Sequence, residues 1–364
     1  MHKSKELFTV KKLNVIQSGQ EPVGAALKEN LSYEQQTQAY STWGGKLLQH
    51  ADVLHAIQAK KEFRPITVQL APTEACDSNC PFCSVSWRSV DKKIPFAVIE
   101  KGLREFRALG AKSIELSGGG NPLIYRDGNK NINDVIELAH DLGYEIGVIT
   151  NTENLSRHIK PENADKLSWI RISLIKLDEG KSPEDYNFTG FPIEKMGFSY
   201  IIYEGTTVQS IEKIAKLVER NPEIKFVRIA SDCLTEQSLT IKEDWGDIVK
   251  TLDTHQKFFI KEINDTFHAY EGGCWVGMIR PYWVWNGVYM CTSHVLKHRN
   301  YHDTWKLCDG DKIKETWDSM NARFQAGQNP YDINIKEECW HCYYARSNEV
   351  LYYVTTELPD KNFA

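Results

Sequence analysis

Three cysteines stand within eight positions, Cys76, Cys80 and Cys83, in the stretch CDSNCPFCSVSWR. Thiolates are soft metal donors, and the C-x3-C-x2-C spacing places three of them on one tight loop. Three thiolates can ligate three irons of a [4Fe–4S] cube, leaving the fourth iron open to a substrate or cofactor. The same three could hold a zinc ion completed by a neighbouring side chain, and spacing alone leaves both readings open. Four further cysteines fall in two pairs, Cys274 with Cys291 and then Cys339 with Cys342 as C-x2-C. Two such pairs suit either a structural zinc or a second cluster. Cys233 and Cys308 remain, and inert packing is the ordinary fate of a lone cysteine.

These groups need a scaffold, and the chain around them alternates. PITVQLAP is a short β-rich run that leads directly into the tri-cysteine loop. FAVIEKGLREFRALG has helical spacing and ends on Gly110, a plausible C-cap. KSIELSGGG reads as strand then glycine loop, INDVIELAHDLG as helix, and YEIGVITN and LSWIRISL as strands. MGFSYIIYEG, SIEKIAKLVERN and IKFVRIAS continue as strand, helix and strand. This alternation predicts βαβ units and a parallel sheet with strands near 67–71, 112–117, 145–150, 169–175, 198–203 and 225–231. The expected fold is α/β, a partial (β/α)6 TIM-like barrel. Ligands of such sheets bind at the carboxyl ends of the strands, where both the cysteine loop and the glycine run fall.

Residues 1–65 read as an N-terminal helical extension, with Leu47, Leu48, Val53, Leu54 and Ile57 near helical spacing and Gly44 and Gly45 interrupting it. Residues 66–235 hold the barrel. Residues 236–364 lose the alternation and gain cysteines and aromatics, which predicts a small Cys-rich domain. Within it, MIRPYWVWNGVYM has the alternating aromatics of a hairpin core.

With 364 residues, 41% hydrophobic and 26% charged, and a net charge of −5, the composition is that of a globular protein. The acidic balance disfavours nucleic acid as a partner. No apolar run of about 18 residues offers a membrane span, and no signal-length apolar core follows the N-terminal lysines. The expectation is a soluble, cytoplasmic protein, where nine cysteines point to metal or redox chemistry rather than disulfides.

The tri-cysteine loop after a first strand, with Phe82 before its last cysteine, resembles the radical S-adenosylmethionine (SAM) superfamily. The resemblance implies that SAM occupies the open iron and that the enzyme cleaves it to a 5′-deoxyadenosyl radical. SGGGNPL, with Gly118, Gly119, Gly120 and Asn121, resembles the family's SAM amino-group motif, although Asn121 stands where that motif carries glutamate. Thr150 and Asn151 after the third strand and Ser173 in the fourth are similar to the family's polar SAM contacts. The layout of Cys274, Cys291, Cys339 and Cys342 resembles the twitch/SPASM module, implying an auxiliary [4Fe–4S] cluster. Three residues separate Gly287 from Cys291, where the module has four.

The resemblance thus implies SAM, two [4Fe–4S] clusters and an external electron donor such as flavodoxin or ferredoxin. It implies hydrogen abstraction leading to oxidation, epimerisation or bond formation on a small molecule or peptide. Cys233 and Cys308 become candidate hydrogen-atom donors, and Cys308 an alternative auxiliary ligand. Radical modification of a nucleic-acid base and a zinc-stabilised binding protein without catalysis are the alternatives.

Overall fold

The computed structural model describes residues 35, 39–41, 44–59, 62–235, 240–261, 274–331, 338, 342 and 344–356. The predicted strands form, in chain order, β1 (Thr67–Leu70), β2 (Ser113–Leu116), β3 (Glu145–Thr150), β4 (Trp169–Ser173), β5 (Met196–Ile202) and β6 (Val227–Ser231). Each pairs in parallel with the next. The array runs one strand further than the alternation predicted. β7 (Phe258–Lys261), past residue 235, pairs in parallel with β6. At the opposite edge, β8 (Tyr282–Val284) lies parallel to β1, and β9 (Gly287–Tyr289) and β10 (Lys306–Cys308) follow antiparallel. One ten-stranded sheet therefore carries both the barrel and the first part of the Cys-rich region, in the order β10-β9-β8-β1-β2-β3-β4-β5-β6-β7.

Local chemistry places the first four helices as expected. α1 (Ala51–Gln58) belongs to the N-terminal extension, whose Leu47, Val53 and Ile57 are buried, while Leu48 is exposed. Residues 1–34 of that extension lie outside the described residues. α2 (Phe96–Ala108) ends before Gly110, whose φ of 105° suits a left-handed stop after a helix. α3 (Ile132–Asp141) starts from an Asn131–Asp134 capping box. α4 (Val208–Arg220) and α5 (Ile241–Leu252) cover the far strands, and α6 (Ile313–Gln325) and α7 (Ala345–Thr355) complete the helical shell. Gly102 sits within α2 because a Cβ there would meet the Trp283 ring at 2.2 Å. Its cost to the helix is about 1 kcal/mol. The fully buried indole of Trp283 on β8 returns about 2–3 kcal/mol.

The strands alternate in a way that bears on function. Ile170 and Ile172 of β4, Val227 and Ile229 of β6, and Phe258 and Ile260 of β7 are buried among apolar groups. The residues between them include Arg171, Arg228 and Phe259, followed by Lys261. Strands buried on both faces read as unbroken apolar runs, and TIM-barrel interiors are usually filled by branched aliphatics. Charged residues on one face therefore mark a polar lumen. The N-terminal extension approaches the barrel where Tyr40 stacks on Phe226, just before β6, at 4.4 Å. Among the described residues no helix is long and apolar enough to cross a membrane.

Candidate active site at the strand ends

The tri-cysteine loop leaves the carboxyl end of β1 and is tied down on both sides. Asp77 accepts from Lys176 Nζ at 2.7 Å and from Asn121 Nδ2 at 3.0 Å. Ser78 donates to Glu179 at 2.9 Å, and Glu179 also accepts from the Asn79 backbone at 3.2 Å. Arg88 donates to the Cys83 sulfur at 3.1 Å, to the Val85 carbonyl at 3.0 Å and to the Glu74 carbonyl at 2.9 Å. The three thiols feel one another. Burial first, then Cys83 and Cys76, push Cys80 up to about 12. Burial likewise raises Cys76. Thiols packed this closely hold their protons unless a cationic centre stabilises the thiolates, which is what iron or zinc does. The donor set thus fits a thiolate-ligated cluster. No three His, Cys, Asp or Glu side chains among the described residues converge tightly on a single ion.

The glycine run is a device for close backbone approach. Gly118 and Gly119 have φ of 90° and 47°, and a Cβ on Gly120 would lie 1.8 Å from the Ala75 carbonyl oxygen. Gly120 N donates to Thr73 O at 3.0 Å and Asn121 N to Ala75 O at 2.8 Å, so the run lies against the residues just before Cys76. The Asn121 side chain differs from its expected role. Its amide donates to Asp77 and to Thr152 (2.9 Å) and accepts from Thr150 Oγ1 (2.8 Å) and Leu123 N (3.2 Å). Two donors and two acceptor sites are then all in use, leaving none for a cofactor amino group. Thr150, 3% exposed, serves the same network.

Asn151 is placed otherwise. Its Nδ2 reaches Ser78 Oγ at 2.6 Å and Cys76 Sγ at 3.8 Å. Its buried Oδ1 has no hydrogen-bond partner among the described residues. Ser173 ends β4 in register with Ser199 of β5. Phe82 packs on Tyr203 with ring centroids 5.2 Å apart.

Several residues here carried no signal of their own in the sequence. Lys176 bridges Asp77 and Glu153 at 2.7 and 2.8 Å with a side chain only 10% exposed. Lys176→Met should cost about 3 kcal/mol in urea denaturation, the low end for a buried pair because Asp77 keeps solvent contact. An unchanged midpoint would show that the bridge does not anchor the loop. Glu74, fully buried, accepts from Tyr301 at 2.7 Å, and burial raises its carboxyl to about 7. Tyr282 of β8 accepts from Gly119 N at 3.1 Å. Trp87 meets Tyr301 edge-on at 4.9 Å. The hairpin core predicted around Trp283 is therefore also a wall behind the cysteine loop.

A cavity of about 260 Å³ opens beside that loop, lined by Cys80, Phe82 and Cys83 together with Arg228, Cys233 and Lys261. Cys308 lies elsewhere. It ends edge strand β10, and its thiol, pushed up to about 12 by burial, pairs with Thr316 of α6.

The C-terminal cysteines assemble in part. Burial, followed by Cys291 and Cys342, raises Cys274, and burial pushes Cys342 up to about 12 with Cys291 adding to it. Asn348 of α7, 1% exposed, accepts from Trp275 N and Val276 N at 3.0 Å and donates to the Cys274 sulfur at 3.4 Å. A Cβ on Gly277 would lie 2.9 Å from the Met290 Cα, so glycine lets the Cys274 segment lie against the Cys291 segment. Cys339 lies outside the described residues.

Residues 70–177 match the model of the radical SAM superfamily, and that segment is a radical SAM domain. An S-adenosylmethionine-dependent nucleotide dehydratase from Lacinutrix mariniflava is 28% identical over 112 residues, 29% of this chain and 22% of the relative. The match thus spans about a fifth of that curated protein. Among solved structures, Streptococcus suis SuiB bound to its precursor peptide SuiA is 16% identical, with a TM-score of 0.49 over 75% of this chain and 69% of that one. BtrN in complex with AdoMet and 2-DOIA is 10% identical, with a TM-score of 0.36 over 73% and 89%.

Proposed function

We propose that the protein cleaves SAM reductively and abstracts hydrogen from a substrate carbon, leading to oxidation, epimerisation or bond formation on a small molecule or peptide. The observation that carries this reading is the tri-cysteine loop at the carboxyl end of β1, sharing a cavity with residues of the opposite strand ends. Cys76, Cys80 and Cys83 would hold a [4Fe–4S] cluster. The backbone of Gly118 to Gly120 and the amide of Asn151 are the groups positioned to bind SAM beside it. Cluster and SAM together supply one-electron chemistry.

The chain's own part is placement and exclusion. Phe82, Ile201 and Ala230 line the cavity with apolar surface and keep water from a reactive carbon. Cys233 lines the same cavity as Cys80 and Cys83 and is the better placed of the two candidate hydrogen-atom donors. If the outcome is epimerisation, solvent deuterium should enter the product and Cys233→Ala should abolish that incorporation. Unchanged incorporation would remove Cys233 from the role.

Cys274, Cys291 and Cys342, with Cys339, would hold an auxiliary cluster in a twitch/SPASM-like module. Such a cluster serves as an electron conduit, with an external donor such as flavodoxin or ferredoxin supplying the first electron. The test is anaerobic reconstitution followed by metal analysis. Two clusters predict about 8 iron and 8 sulfide per chain, whereas stoichiometric zinc without iron would sink the radical reading.

A further inference from the structure

The Arg88 guanidinium clasps both ends of the tri-cysteine loop. After the last cysteine, turns from Ser86 N to Cys83 O (3.2 Å) and from Arg88 N to Val85 O (3.0 Å) fold the chain back on itself. The side chain therefore reaches the loop from its far end. Its Nε donates to the carbonyl of Glu74, two residues before Cys76, at 2.9 Å. Its Nη1 carries two protons and gives one to the Val85 carbonyl at 3.0 Å and the other to the Cys83 sulfur at 3.1 Å. Two backbone carbonyls thus fix the fork while a third bond points at a thiol. The Glu74 segment is itself held, by Glu74 N donating to Lys92 O at 2.8 Å and by Tyr301 on its carboxylate at 2.7 Å. Cys83 is the thiol favoured in this way. The contact to Cys76, from Asn151 Nδ2 at 3.8 Å, is longer and comes from a neutral amide.

We infer that Arg88 sets the reduction potential of the cluster on this loop by donating a charged hydrogen bond to the Cys83 thiolate. The inference rests on the reading proposed above, in which Cys76, Cys80 and Cys83 hold a [4Fe–4S] cluster. An external donor gives that cluster one electron, no covalent bond forms or breaks, and the added negative charge is shared by the ligating sulfurs. A cationic donor on one sulfur stabilises the reduced state more than the oxidised one, so the potential rises. Arginine suits the task because it stays charged at any working pH, and its planar fork is already oriented by the two carbonyls. Because it acts through Cys83, Arg88 is a positioning residue rather than a catalytic one.

The experiment is a redox titration of the reconstituted full chain, read by electron paramagnetic resonance on the signal that the Cys76, Cys80 and Cys83 triple variant lacks. Arg88→Met should lower the midpoint by about 59 mV, a tenfold loss in the one-electron reduction equilibrium. Arg88→Lys keeps the charge but not the fork and should fall between. Arg299→Gln is the control, since that guanidinium donates at 3.1 Å to Ser86 Oγ rather than to a sulfur. Its midpoint should match the wild type. An unchanged or raised midpoint in Arg88→Met would overturn the assignment, as would an equal drop in Arg299→Gln. Should Arg88→Met fail to take up iron, a measurement on the wild type decides. In protein made with heavy-nitrogen arginine, pulsed resonance of the reduced cluster should show coupling to a labelled nitrogen that is missing from Arg88→Lys. No coupling in the wild type, or coupling that survives in Arg88→Lys, overturns the assignment. Wild-type protein without iron or without the signal overturns the radical reading and this inference with it, whereas a signal with no nitrogen coupling overturns this inference alone.

Discussion

Replacing Cys76, Cys80 and Cys83 together by alanine should abolish SAM cleavage and remove about four of eight irons per chain. The size of the effect follows from the loop's construction. All three thiols leave β1 on one loop, and the anchors around them, Lys176 to Asp77 and Arg88 to Cys83, hold that loop at the barrel mouth. The triple variant removes all three thiols of that loop, whereas the buried Cys274 and Cys291, the former braced by Asn348, are left in place. Iron analysis and chromatography of 5′-deoxyadenosine decide the outcome. Retained cleavage would refute the placement of the SAM-binding cluster, and loss of all iron would refute a second, separate cluster.

Gly120→Ala should be nearly as damaging, although it deletes nothing. The added methyl would lie 1.8 Å from the Ala75 carbonyl oxygen and 2.6 Å from the Glu74 carbonyl carbon, both backbone atoms. Flexible side-chain movement cannot relieve that clash, so the glycine run must part from the residues before Cys76. We expect SAM affinity to fall at least about tenfold and stability to fall by about 1–3 kcal/mol, the range for overpacked sites. Gly128→Ala is the matched control. Its φ of 59° is also left-handed, but nothing lies within 4 Å of the added carbon, so only about 1 kcal/mol of strain is expected and SAM binding should be untouched. Equal SAM affinity in Gly120→Ala and wild type would mean that the glycine run does not shape the cofactor site.

Much of this arrangement is legible in one dimension because its signals are local. The C-x3-C-x2-C spacing lies within one loop, and strand–helix alternation repeats over a few residues at a time. Gly110 and the Asn131 cap likewise act on their immediate neighbours. What escaped depends on contacts between distant segments. Tyr301 reaches Glu74, and Lys176 reaches Asp77, only because the sheet brings their loops together. Asn121 resembles a cofactor contact in sequence, yet its partners Asp77, from the cysteine loop, and Thr150 and Thr152, at and just past the end of β3, occupy its amide. β7 was hidden because four residues, FFIK, make a weak strand signal in a region already turning toward cysteines and aromatics. The lumen charges did leave a trace. Glu115, Arg171, Arg228 and Lys261 each interrupt or end an apolar strand, a pattern that gains meaning once the strands stand side by side.

The most direct test of the central claim is the electron paramagnetic resonance spectrum of the dithionite-reduced protein before and after SAM is added, with 5′-deoxyadenosine measured in the same samples. The account predicts a [4Fe–4S] signal that changes when SAM is added, disappears in the Cys76, Cys80 and Cys83 triple variant, and accompanies formation of 5′-deoxyadenosine. A spectrum indifferent to SAM, with SAM recovered intact, would contradict it.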